Sequence, residues 1–100
     1  MDTNKILTAL AKFENLKITT DFLDKNFVKS TGFACFKSCY YAENGNQTIL
    51  IKNYQDSNFT LDAVSLGAKV VTDYRVENVA ELIAFMYVFY MHEAITNLKF

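Results

Sequence analysis

Along residues 3–17 apolar side chains return at steps of three and four: Ile6, Ala9, Leu10, Phe13 and Leu16, separated by Asn4, Thr8, Lys12 and Asn15. That spacing gathers the apolar set on one side of a helix and predicts an amphipathic α-helix, its first turn capped by Asp2 or Thr3. A shorter helix is predicted from Asp21 to about Ser30. Thr20 or Asp21 offers the cap, and Leu23 and Phe27 lie one turn apart. Gly32 then accepts the left-handed geometry beyond a helix end.

The period then drops to two. Residues 33–42 and 47–55 have strand character and flank Glu43-Asn44-Gly45-Asn46. Asn-Gly tolerates positive φ at both centres of a two-residue β-turn, so a hairpin centred on that pair is expected. Pairing Glu43 with Asn46 sets Tyr40 opposite Ile49 on one face. On the other it opposes Tyr41 to Thr48, Cys39 to Leu50 and Lys37 to Lys52. Two opposed lysines repel unless both reach water, which makes this second face the outer one. Ala34, Phe36, Tyr40, Ile49 and Ile51 are left for the core side. Residues 68–76 alternate Val70, Thr72, Tyr74 and Val76 with Lys69, Asp73 and Arg75, as a half-buried strand does. Residues 59–66 read as another strand turning at Gly67, with a single helical turn capped by Thr60 as the other option.

Asn78-x-x-Glu81 is a capping box, and it opens a last helix expected to run to about Asn97. The whole reads as a single α+β domain over residues 1–100. It comprises one or two N-terminal helices, an antiparallel sheet of three to four strands with the Asn-Gly hairpin, and a long hydrophobic C-terminal helix packed on that sheet. One hundred residues suit one core of this kind.

That last helix contains ten uncharged residues in a row, Leu82 to Met91, four of them aromatic. A membrane span needs about 20 apolar residues, and Glu81 and His92-Glu93 bracket this run, so a bilayer role is not expected. On a helical wheel Val79, Ile83, Met86, Tyr90 and Ala94 centre the buried face, widened by Leu82 and Phe89 on one side and Tyr87 and Met91 on the other. Phe85 and Val88 fall instead on the ridge that carries Glu81, His92 and Lys99. Burying a side chain of this size is worth roughly 1.5–3 kcal/mol, so these two need a cover. Either the first helix of the same chain supplies it, or a second protomer or another protein does.

Composition narrows function mainly by exclusion. Half the residues are hydrophobic and ten bases balance eleven acids, with the first fifty residues summing to +1 and the second fifty to −2. A nucleic-acid binder's basic footprint is missing. Lysine supplies nine of the ten bases, Asn, Phe, Tyr and Ile are frequent, and Pro and Trp are absent. That skew suits an AT-rich bacterial, phage or plasmid genome. Two cysteines and no signal-peptide pattern point to a reducing, cytoplasmic setting.

Candidate chemistry is thin. Cys35 and Cys39 have C-x-x-x-C spacing, but on one strand face four residues apart they stand roughly 13 Å apart, too far for a disulfide or one tetrahedral ion. His92 is the sole histidine, and HEAIT lacks the second histidine of a zinc-protease helix. Phosphate-cradling and calcium loops are absent from the sequence, so catalytic residues, metal and cofactor are all expected to be none. What remains is apolar surface: Tyr41, Leu50 and Tyr54 on the outer sheet face, and Phe85, Val88 and His92 on the helix ridge. These six are the candidate protein-binding residues. The expected function is a non-enzymatic protein-binding module, of the kind small phage- or mobile-element-encoded inhibitors and immunity proteins represent, able also to form a homodimer. The alternative is a winged-helix-like DNA-binding regulator. It is disfavoured because DFLDKNFVKS carries only two lysines against two aspartates and the ENGN tip is acidic.

Overall fold

The computed structural model describes residues 13–30, 38–55 and 58–100. The first predicted helix therefore falls largely outside the described residues. Its end does not: Phe13 is the last helical residue, Glu14 and Asn15 turn, and the Leu16 N–H donates to the Phe13 carbonyl at 3.1 Å. Residues 14–17 are thus not helical. Instead Lys17 forms an antiparallel bridge with Asn78.

The first described helix, α1 (Thr20–Asn26), begins one residue earlier than expected. Its cap is Thr19, whose hydroxyl accepts the Phe22 N–H at 3.1 Å. It also ends earlier, at Phe27 in extended geometry, because residues 28–30 pair as a short strand, β1 (Val28–Ser30). Sheet pairing outcompetes the final helical turn while Leu23 and Phe27 stay buried.

Four longer strands follow: β2 (Ser38–Asn44), β3 (Gln47–Gln55), β4 (Asn58–Ser65) and β5 (Ala68–Val76). Among the described residues the sheet has five strands, all antiparallel in chain order, one more than the expected maximum. The added member is β1. Residues 59–66 are strand, turned back by Leu66 (φ 53°) and Gly67 (φ 79°), the pair of positive φ values that a tight two-residue hairpin requires.

The β2–β3 turn departs from expectation. Asn44 pairs with Gln47, so the loop is Gly45-Asn46 rather than Asn44-Gly45, with positive φ at Gly45 (60°). Tyr40 consequently opposes Ile51, Tyr41 opposes Leu50, and Lys52 faces Cys39 in place of Lys37. The slip is two residues, the side-chain period of a strand, so every residue keeps its face. Tyr40, Ile49 and Ile51 are core as expected, while Ala34 and Phe36 lie outside the described residues.

The C-terminal helix is not continuous. It divides into α2 (Val79–Val88) and α3 (His92–Thr96). Asn78 caps α2 by accepting the Glu81 N–H at 2.9 Å. At the other end the Met91 N–H donates to the Met86 carbonyl and the Tyr90 N–H to the Tyr87 carbonyl, while Tyr90 takes φ 62°. These two bonds form a Schellman closure, with tyrosine in the left-handed position that glycine usually fills. Met86 and Met91, the pair that such a closure brings together, are both buried. The break rotates everything after Phe89, so Tyr90, expected at the centre of the buried face, is exposed and Ile95 is buried instead.

The core lies between one sheet face and the helices. Val79, Leu82, Ile83 and Met86 of α2 meet Ile49, Ile51, Leu61 and Ala63 of the sheet, with Phe22 and Leu23 from α1. Tyr40 ties the layers together: its ring is buried and its hydroxyl donates to Asp24 at 2.7 Å.

Candidate protein-binding surface

The six candidate residues fall on two separate surfaces. Tyr41 and Leu50 face each other across β2 and β3, half-buried, on the sheet face away from α2. Tyr54 lies in β3, with its side chain outside the described residues. Phe85 and Val88 sit on α2, one helical turn apart. His92 begins α3, stacks on Tyr87 (centroids 4.8 Å apart, 18° between planes), and places Nε2 3.3 Å from the Tyr87 carbonyl oxygen. His92 thus braces the break between the helices rather than extending the Phe85–Val88 ridge.

The ridge has a partner from the sheet. Tyr74 of β5 meets Phe85 edge-on at 5.0 Å between centroids, and Tyr74 and Val88 remain 45% and 61% exposed. Together they form an apolar strip joining the edge strand to α2. The sequence held the signal for Tyr74, an aromatic alternating on a strand. Its position beside Phe85 depends on two bulges in β5: Leu61 pairs with Tyr74 but Ala63 with Val71, so two residues oppose Asp62, and Val64 pairs with Lys69, which leaves Val70 as a second extra residue. Those irregularities, with Lys69, Asp73 and Arg75 along β5, discourage strand addition at this edge.

The expected outer face is not uniformly outer. Lys52 and Asp62 lie on it and are 7% and 2% exposed. Lys52 Nζ donates to Asp62 at 2.8 Å and to Asp73 at 2.7 Å, and Lys69 stands 3.4 Å from Asp62. The Asp73 N–H, turned by its φ of 51°, donates to the second Asp62 oxygen at 2.7 Å. Burial by itself raises the Asp62 pKa, but the Asp73 N–H and the two ammonium groups outweigh it and hold the carboxyl below its ordinary value. Beside them Cys39 is buried and unpaired. Burial pushes its thiol up against the pull of Lys52, which keeps it protonated and weakly nucleophilic at neutral pH. Cys35 lies outside the described residues.

The architecture is that of a small α+β domain with a five-stranded antiparallel meander backed by short helices. Among the described residues no helix is long and apolar enough to cross a membrane, and no group of three or more His, Cys, Asp or Glu side chains is placed to hold a metal ion. No protein-family model, curated protein or solved structure matches the chain.

Proposed function

We propose that the protein is a non-enzymatic binding module that docks onto another protein through the α2–β5 ridge, acting as a small inhibitor or immunity-type protein of phage or mobile-element origin. The observation that carries this reading is the strip Tyr74–Phe85–Val88. Tyr74 and Val88 are left exposed on two adjoining elements, and Phe85, half-buried against the core, joins them through its contact with Tyr74. The ridge presents two aromatic rings, Tyr74 with a polar tip, the residue type that supplies large contact area at protein interfaces. The same strip on a second copy would support a two-fold dimer.

The test combines solution mass with affinity capture from the native host, run on the wild type and on Val88→Asp. Val88 is exposed, so its replacement should cost no more than about 0.5 kcal/mol of stability and leave the fold intact. The expected result is a complex, or a dimer, that the wild type forms and Val88→Asp does not. A monomer that captures nothing, or a partner held equally by both proteins, removes the ridge from the reading. Retention of random duplex DNA in a gel shift at ~50 mM salt would transfer the protein to the DNA-binding class.

A further inference from the structure

On a part of the surface that shares no residue with the ridge, a cleft of about 180 Å³ opens beside Phe100. Its apolar walls are Leu16, Phe22 and Phe100, and Lys17, Thr19, Asp21 and Lys25 complete the lining. We propose that this cleft is a recognition site for an aromatic side chain carried by an acidic peptide segment of a partner protein.

The walls are built, not incidental. Asn26 donates from Nδ2 to the Lys99 carbonyl at 2.8 Å and accepts the Lys99 N–H on Oδ1 at 2.7 Å, so one carboxamide holds both backbone groups of a single residue. A second bond from Nδ2 to the Phe22 carbonyl, also 2.8 Å, fixes that carboxamide against α1. The next residue, Phe100, is thereby laid between two rings. Its centroid is 4.4 Å from that of Phe13, with 17° between planes, and 5.4 Å from that of Phe22, with 29°. Despite these stacks Phe100 keeps 57% of its surface and Leu16 42%.

Size and charge select the guest. An apolar cavity of roughly 150 Å³ accepts a benzene ring, so this cleft has room for one aromatic side chain. With both faces of Phe100 already stacked, its exposed edge favours an aromatic guest through edge-to-face contact. Lys17 and Lys25 are exposed, and among the described residues neither ammonium has a side-chain carboxylate partner, so both are open to an acidic guest. Carboxylates flanking the guest ring pair with these two ammonium groups. A membrane surface is the poorer fit, because the apolar groups line a concavity instead of projecting from the surface.

The whole protein, ¹⁵N-labelled, is titrated with the peptide acetyl-Gly-Glu-Glu-Phe-Glu-Gly-amide. Saturable shifts are expected at Leu16, Lys17, Phe22 and Lys25. The peptide with alanine in place of phenylalanine should lose binding. The double variant Lys17→Glu, Lys25→Glu should weaken binding at least tenfold while still melting cooperatively, with only the small loss expected of an acid in the last turn of α1, and raising the salt should weaken binding in the wild type. Shifts confined to other residues, equal binding of the alanine peptide, or charge reversal without effect would each overturn the proposal. So would phosphatidylglycerol vesicles engaging these residues while the peptide does not. Val88→Asp leaves this titration unaltered, so failure here and failure of the ridge are read separately.

Discussion

On the face covered by the helices the sheet presents Ile49, Ile51, Leu61 and Ala63, all fully buried; one position along the same strands, on the opposite face, Lys52 and Asp62 are almost as buried and carry charges. The first face is closed by apolar packing, which is non-directional and spread over many contacts. The second is closed by two ammonium groups, two carboxylates and a backbone N–H, in which each member satisfies another. Apolar packing tolerates a volume-conserving exchange at any one position, whereas a buried charge network fails when one member is removed. Chain alternation alone therefore does not say which face of a sheet meets water. A charged face can be withdrawn from solvent when its charges complete one another.

The comparison is broken most severely at the helix-covered face. Ile83→Ala opens a cavity between α2 and the sheet and is expected to lower stability by about 2–5 kcal/mol, measured by urea denaturation. Ile83→Val, which keeps most of the volume, should fall near 1 kcal/mol.

On the opposite face Asp62→Asn is expected to lower stability by about 2–3 kcal/mol at pH 7, somewhat less than the loss of a sole partner, because Lys52 still holds Asp73. Its pH dependence carries a sign. Asp62 has its folded-state pKa depressed, so its contribution is complete above the unfolded value of about 3.9 and disappears as pH falls through the folded value. Wild type and Asp62→Asn should therefore converge in stability in acid. A constant difference from pH 7 to pH 2 would show that the network acts through shape and not through charge.

The smallest effects belong to backbone positions that neither face decides. Tyr90→Gly removes a left-handed conformation that costs an L-residue roughly 1–2 kcal/mol and gives up little burial. It should raise the melting temperature by an amount equivalent to about 1 kcal/mol. Leu66→Asn places a residue that tolerates positive φ at the exposed first position of the β4–β5 turn, for a gain of about 0.5 kcal/mol. A loss at either position would mean that the tyrosine or leucine side chain makes a contact outweighing the backbone term.

The α+β character, the positions of β2, β3 and β5, the faces of β2 and β3, and the buried set Val79, Leu82, Ile83 and Met86 were legible from periodicity, because period 2 and period 3.6 are local properties of the chain. By contrast, β1 falls where helix was expected, and residues 59–66 carried both strand and helix signals. The turn register was less so. Asn-Gly advertises itself through both residues, yet Gly45 serves as the first centre instead of the second, since a two-residue slip leaves every side chain on its face and pairing across the whole ladder chooses between the options. The break after Val88 left no trace in the sequence, for the left-handed position is filled by tyrosine and the compensation comes from burial of Met86 and Met91. The candidate surface divided for the same reason. Phe85 and Val88 could be read as surplus on a helical wheel, but only folding brings Tyr74 beside Phe85, draws Lys52 and Asp62 out of water, and lays Phe100 between Phe13 and Phe22. Local pattern decides which way a side chain points; what it then meets is settled by strands and helices far apart along the chain, whose pairing is a global minimum and not a local one.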